Sequence, residues 1–183
     1  MARREELLDR VTDDLVAHGL VDFSLRRAAR AAGTTHKVLL YHFSAADDLL
    51  VEAIARLRDK RIGAAFAAPQ QQRLSARVQA LWQILLDPMT GLRVLDQAIG
   101  LAIYDPQRHA ALGREASKQY LPLLLSLCPA VWPEQRKREV AQMILAALRG
   151  FLIDWLTSGD IAGAEAGLEA LVRALEREEL ADQ

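Results

Sequence analysis

The sequence predicts an all-α protein of about nine helices, with a small N-terminal three-helix unit followed by a larger helical domain. Two observations predict this. Apolar residues make up 51% of the 183 positions but aromatic ones only 5%, and the apolar set is dominated by the helix formers Ala and Leu. Apolar residues also recur at helical spacing between Gly and Pro residues, and no segment is a convincing strand. The length allows one large or two small domains.

The first predicted helix covers residues 3–18. Leu7, Leu8, Val11 and Leu15 recur at helical spacing and form its buried face, and Gly19 ends it.

Residues 24–42 predict two short helices joined by a glycine turn. Ser24 is a good N-cap because its hydroxyl can accept a bond from a free amide of the first turn. Gly33 falls where a helix ends in a left-handed residue, and Thr35 can cap the next helix. This pattern is typical of the helix-turn-helix, whose second helix normally lies in the DNA major groove.

The charges around this turn favour DNA over a plain helical hairpin. Residues 21–46 hold four cations, Arg26, Arg27, Arg30 and Lys37, against Asp22 alone. Cations near helix starts are unfavourable for the helix dipole but suit a phosphate backbone. A net charge of −1 excludes a basic nucleic-acid coat, and a local patch is typical of a site-specific binder. A solvated basic helix pair in an ordinary bundle stays the alternative.

A fourth helix is predicted over 46–66, and a polar break over 67–72 follows it. We therefore divide the chain into an N-terminal domain of residues 1–50, a linking helix of 46–66, and a C-terminal domain of 73–183. The remaining helices are predicted over 73–86, 92–104, 108–127, 133–158 and 161–180.

The last two helices predict a two-fold dimer interface. The helix over 133–158 is apolar on more than one side, so it should be enclosed by its own domain and by a partner. Small residues in it would let a second backbone come close. The interface residues predicted are Ala146, Gly150, Trp155, Leu168, Leu171, Val172 and Leu175. A purely intramolecular core is the alternative.

The C-terminal domain could also hold an effector cavity. Charges are scarce over 78–104, which indicates a largely apolar or neutral ligand. The predicted lining is Trp82, Leu85, Met89, Ile99, Ile103, Tyr120, Leu124, Met143 and Phe151. A solid core uses the same residue types, so the pattern alone does not separate the two.

No pattern in the sequence indicates an enzyme, a metal site or a cofactor. His18, His36, His42 and His109 lack metal-ligand spacing, and no Gly-rich phosphate loop is present. The lone Cys128 excludes an intrachain disulfide framework. With no hydrophobic signal region at the start and its apolar runs interrupted by proline or charge, a soluble cytoplasmic protein is expected.

The segment AGTTHKVLLYHFSAADDLL, with the N-terminal helix and the stretch RGFLIDWLTSGD, resembles the TetR (tetracycline-repressor-like) family of bacterial regulators. The motif match covers roughly residues 5–60. The resemblance implies a homodimeric, usually repressing transcription factor. Its C-terminal domain would bind a small molecule among the middle helices and release DNA.

The resemblance and the charge pattern together predict the DNA-contacting residues. Arg26 would reach a base edge, and the start of the second short helix would read sequence. The full set is Ser24, Arg26, Arg27, Thr34, Thr35, His36, Lys37, Tyr41 and His42. The chain departs from the family pattern at Leu40, often Tyr, and at Ala46, commonly Lys. Without that Lys, one phosphate contact would be missing.

We therefore expect a dimeric repressor that leaves a pseudo-palindromic DNA operator when a small, largely apolar effector binds. Two alternatives stay open. One is a dimeric helical DNA binder without a small-molecule effector, controlled by a protein partner or by abundance. The other is a helical interaction protein that has lost DNA binding, which only the departure at Ala46 supports.

Overall fold

A computed structural model describes residues 2–67, 73–87 and 91–181. Across these residues the chain is all α-helical, as predicted, with no strand. The helices are α1 (Ala2–His18), α2 (Leu25–Ala31), α3 (His36–His42), α4 (Ala46–Ala67), α5 (Leu74–Leu86), α6 (Leu92–Tyr104), α7 (Pro106–Leu127), α8 (Glu134–Ser158) and α9 (Ile161–Leu180). Most of the predicted break at 67–72 lies outside the described residues.

The start and end of α1 follow its amphipathic pattern. Leu7, Leu8, Val11 and Leu15 are all buried on one face, as predicted. Gly19 then takes a φ of 71°, a left-handed conformation that glycine adopts without strain.

The chain divides into two compact units that differ from the predicted domains. The first unit contains Met1–Arg61 and Asp87–Ala116, and the second contains Ile62–Leu86 and Ser117–Gln183. The predicted C-terminal domain of residues 73–183 therefore includes parts of both compact units. Helix α6 and the first half of α7 belong with the N-terminal helices.

The physical reason for this division is a shared hydrophobic core. Val94, Leu95 and Ala98 of α6, and Leu112 of α7, are buried in the same cluster as the apolar faces of α1 to α4. A helix periodicity shows that a face will be buried but does not identify the partner. Sequence spacing therefore left the partner of α6 undetermined.

Within the first unit, polar contacts also hold α6 and the first half of α7 against the N-terminal helices. The backbone N–H of Leu20 donates to Gln97 Oε1 at 2.8 Å. Arg58 of α4 is only 1% exposed, and its Nη2 donates to the Leu112 carbonyl at 2.8 Å. A guanidinium can be buried in this way only when its donors find acceptors.

In the second unit, α9 packs against both α5 and α8. Trp82 of α5 and Ile144 of α8 are fully buried here, as is Leu175 of α9. Of the described residues, only α8 is long and apolar enough to cross a membrane by length and composition, a test that core helices of soluble proteins also pass. Val140, Ile144 and Leu148 of α8 are buried.

Candidate nucleic-acid interface

The helix-turn-helix forms through the predicted caps. Ser24 Oγ accepts the Arg27 N–H at 3.2 Å at the start of α2, and Thr35 Oγ1 accepts the Val38 N–H at 3.4 Å at the start of α3. Between them Gly33 has a φ of 61°. Its N–H bonds to the Arg30 carbonyl, and the next N–H bonds to the Ala29 carbonyl, the pattern of a Schellman turn.

Helix α3 has one packed face and one exposed face. Leu39 is fully buried, and Phe43, the residue after the helix, is 2% exposed. On the opposite side Lys37 and Leu40 are exposed, and Tyr41 is 85% exposed. The short helix therefore presents a partly basic surface that mixes polar and apolar side chains outward.

A surface groove of about 640 Å³ runs between α2 and α3, and we call it the α2–α3 groove. It gathers most of the predicted contact residues at the N-terminal ends of these two helices. Its lining is Ser24, Arg26, Ala29, Arg30, Thr34, Thr35 and His36. Hydroxyl groups, guanidinium groups and free amides at helix starts are the donors that phosphates receive in protein–DNA complexes.

The cations of this surface are available to a ligand. In the part of the chain that the structure describes, Arg26, Arg30 and Lys37 form no ion pair with a carboxylate. All three side chains are exposed. An unneutralised cluster of this kind attracts a polyanion.

Arg27 has a different position from its neighbour Arg26. Its Nε donates to Asp14 Oδ2 at 2.8 Å, and its two terminal nitrogens donate to the carbonyls of Val21 and Gly19 at 2.8 and 2.9 Å. The side chain is 14% exposed. We therefore remove Arg27 from the predicted contact residues, because its guanidinium ties α2 to α1.

Lys37, Tyr41 and His42 do not line the α2–α3 groove but lie further along α3. The rings of Tyr41 and His42 meet edge-on, with centroids 5.1 Å apart. These residues extend the exposed face of α3 to its C-terminal end.

Two arginines of α1 support the helix-turn-helix, and sequence reasoning did not identify either of them. Arg10 Nη1 donates to the Ala32 carbonyl at the end of α2, at 3.2 Å. Arg4 Nε donates to the His42 carbonyl at the end of α3, at 3.3 Å. These pairs are 22 and 38 residues apart in sequence, so no local pattern could have indicated them.

The predicted dimer residues separate into buried and exposed sets. Leu168 and Leu171 are 5% and 8% exposed, and Leu175 is fully buried. These leucines are buried within their own unit, so their contact with a partner subunit stays a prediction. Trp155 and Val172 are half-buried.

Ala146 and Gly150 are exposed on α8. Met143 and Ile153, 41% and 43% exposed, lie on the same side of α8 at helical spacing. We call the face formed by Met143, Ala146, Gly150 and Ile153 the outer face of α8. It is apolar, and half of its residues are small.

Only some of the residues predicted to line an effector cavity lie in the second unit. Trp82, Leu85 and Leu124 are buried in the second unit, where the Trp82 ring meets that of Phe151 edge-on at 6.4 Å. Tyr120, of the same unit, is half-buried. The Trp82 Nε1 and Tyr120 hydroxyl atoms are buried without a hydrogen-bond partner in the described structure.

The other predicted lining residues are placed elsewhere. Ile99 and Ile103 lie on α6 in the first unit, and Ile103 is 76% exposed. Met143 is on the outer face of α8. The side chains of Ile103 and Met143 face solvent here, so their contact with an effector stays a prediction. Met89 lies outside the described residues.

Solved structures of transcriptional regulators share this fold over almost their whole length. A transcriptional regulator from Rhodococcus sp. Rha1 superposes with a TM-score of 0.76 at 18% identity, covering 96% of each chain. A TetR transcription regulator from Haloarcula marismortui ATCC 43049 gives 0.72 at 17% identity, covering 96% of this chain and 97% of that one. The multidrug binding protein EbrR complexed with ethidium superposes with a TM-score of 0.72 at 20% sequence identity, covering 93% of this chain and 97% of that one.

No protein-family model and no curated protein matches the sequence. The chain has the all-α fold of TetR-family transcriptional regulators, as the sequence predicted.

Proposed function

We propose that this protein is a cytoplasmic homodimeric transcriptional repressor of the TetR family that leaves its operator DNA when a small, largely apolar effector binds. The observation that carries the proposal is the α2–α3 groove. There Arg26 and Arg30, with no carboxylate partner in the described structure, lie beside the capped starts of two helices.

The exposed face of α3 is the part that would enter the major groove. His36 and Lys37 open this helix and would meet base edges, while Arg26 at the start of α2 offers a bidentate match to guanine. Tyr41 and His42 would anchor phosphates at the other end of α3. Phosphate contacts fix the register, and the base contacts supply sequence preference.

Dimerisation would use the outer face of α8. Its small residues, Ala146 and Gly150, would let a second copy of the helix approach closely, and Met143 and Ile153 would supply apolar area at both ends. A two-fold pair of subunits presents two α3 helices to two half-sites of a pseudo-palindrome. One helix-turn-helix alone makes few base contacts.

The effector would bind in the second unit near Trp82. The indole N–H of Trp82 is a donor that cannot accept, and it is buried without a partner, as is the Tyr120 hydroxyl. Apolar walls with a few unsatisfied donors suit a mostly apolar ligand that carries a hydrogen-bond acceptor. The similar protein EbrR was solved in complex with ethidium, which supports a small-molecule effector for this protein.

The test is selection of binding sites from random-sequence DNA duplexes, followed by fluorescence anisotropy on a selected duplex. Lys37→Ala should weaken binding to the selected duplex more than binding to an unrelated duplex, because Lys37 would contact base edges and not phosphates. Lys60→Ala is the matched control, because Lys60 is an exposed cation on α4 that faces Asp9 and Asp13 of α1. Failure of the wild-type protein to enrich any duplex would refute the proposal.

A further inference from the structure

Helix α3 is too short to hold its own orientation. It has seven residues, about two turns, and isolated helices of this length are unstable in water. Leu39 and Phe43 attach it to the core on one side. At its C-terminal end the last carbonyls have no partner within the helix, so outside donors are needed there.

Arg4 supplies that donor and contacts three residues at once. Its Nε donates to the His42 carbonyl at 3.3 Å, and its Nη2 lies 2.5 and 2.6 Å from the two carboxylate oxygens of Glu52 on α4. Its guanidinium carbon is 4.6 Å from the centroid of the Phe43 ring. One side chain of α1 therefore joins the end of α3 to α4.

The planar guanidinium is suited to this position. It has donors in several directions, and its face stacks on an aromatic ring, which an ammonium group cannot do in the same way. Both carboxylate oxygens of Glu52 accept from Nη2 of Arg4, and this anchors the guanidinium whose Nε faces His42.

We propose that Arg4 is a positioning residue for DNA recognition. It sets the orientation of α3 through the His42 carbonyl and the Phe43 ring, and operator affinity depends on it although it does not contact DNA. The inference rests on the proposed function of α3. Two rival roles for Arg4 make different predictions: a direct phosphate contact, and a simple ion pair that stabilises α1 on α4.

Arg56 offers a matched control. It lies on α4 and forms ion pairs with Glu5 and Asp9 of α1, so it joins the same two helices with the same type of charge. Its side chain is 29% exposed, compared with 35% for Arg4. In the described structure its ion-pair partners lie on α1, and none lies on α3.

The first experiment is hydrogen exchange on the full-length protein without DNA. Arg4→Ala should speed exchange of the Phe43 amide, which donates to the Leu39 carbonyl, by about tenfold, while α2 is unchanged. Arg56→Ala should leave α3 as in the wild type. Equal exchange profiles for the two variants would overturn the proposal in favour of a general α1–α4 ion pair.

The second experiment measures binding to a duplex selected by the wild-type protein. Arg4→Ala should weaken specific binding about tenfold with an unchanged salt slope, because Arg4 does not bind a phosphate. A slope lower by about one unit would overturn the proposal and make Arg4 a phosphate ligand. Arg4→Lys should bind as weakly as Arg4→Ala, and full recovery by Lys would also overturn it.

Glu52→Gln gives a second route should Arg4→Ala fail to fold. It loosens the Arg4 side chain without removing it, so exchange of α3 should rise above the wild-type rate, and no rise would count against the proposal. The exchange experiment uses no DNA. If the wild-type protein selects no duplex, the proposed function fails, while the α3 comparison still decides the role of Arg4.

Discussion

Arg108 and Asp47 form a two-point ion pair that joins the start of α7 to the start of α4. Arg108 Nε and Nη2 donate to the two Asp47 carboxylate oxygens at 2.9 Å each. The hydrogen bond from Arg108 and the Arg108 charge lower the pKa of Asp47, and the same hydrogen bond and the Asp47 charge raise the pKa of Arg108. Since α4 follows α3 after a short connection, this exposed pair links the end of the helix-turn-helix segment to α7 within the first unit.

Asp47→Asn should reduce stability at neutral pH by an amount that disappears in acid. The folded pKa of Asp47 lies below its unfolded value of about 3.9. The stabilisation is therefore complete above that value and is lost as the pH falls through the lowered folded pKa.

Urea unfolding at neutral and acid pH measures this difference. Asp48→Asn is the control, because it removes a carboxylate from the same first turn of α4. If both variants lose the same stability at neutral pH, the helix dipole accounts for the effect and Arg108 does not.

Gly33→Ala should destabilise the protein by about 1 kcal/mol because the position has a φ of 61°. The added Cβ would also lie 3.1 Å from Arg10 Nη1. Gly63→Ala is the matched control in a helix, where the added Cβ meets nothing within 4 Å, so it should stabilise slightly. Thermal unfolding of both variants checks the prediction, and a neutral Gly33→Ala would contradict it.

The outer face of α8 and the leucines of α9 should respond differently to substitution. Ala146→Glu should give a folded monomer, because it places a charge on the proposed interface. Gln79→Glu, at an exposed position of α5, should leave the dimer intact. Sedimentation velocity separates the two outcomes, and a dimeric Ala146→Glu protein would place the interface elsewhere.

Leu175→Ala should instead lower the free energy of unfolding by about 2–5 kcal/mol, as expected for a fully buried leucine. The folded fraction should stay dimeric, since Leu175 fills the core of its own unit. Chemical unfolding combined with light scattering measures both properties. A stable monomer would mean that Leu175 contacts the partner subunit after all.

Trp82 should confer a preference for effectors that carry a hydrogen-bond acceptor. In a panel of neutral aromatic ketones and the matching hydrocarbons, a ketone should release the selected duplex at about tenfold lower concentration. Trp82→Phe should abolish that difference. The control is Trp132→Phe, because the Trp132 ring instead stacks with the Arg136 guanidinium, 4.1 Å from its centroid. This variant should keep the preference for the ketone. A wild-type protein that ranks ketone and hydrocarbon equally would exclude this role.

The sequence predicted the local features of this fold well. Ser24, Gly33 and Thr35 act on their own neighbours, so capping and turn rules were sufficient to place α2 and α3. The face of α1 was equally clear, because its periodicity and its burial coincide.

Capping and periodicity rules could not predict which residues contact each other across long separations in sequence. Adjacent Arg26 and Arg27 look alike in sequence, and the contacts of Arg27 with Asp14 and with the Val21 and Gly19 carbonyls distinguish it from the groove residue Arg26. The leucine stripe of α9 indicated burial without showing that its own unit buries it.

The membership of α6 in the first unit bears on protein engineering. A chimaera spliced at residues 67–72 would carry α1 to α4 without Val94, Leu95, Ala98 and Leu112, which complete their shared core. The graft would expose an apolar cleft where α6 had been, and its Leu20 amide would lack Gln97 as acceptor. A chimaera that transfers the helix-turn-helix of this protein to another C-terminal domain must therefore also include residues 87–116.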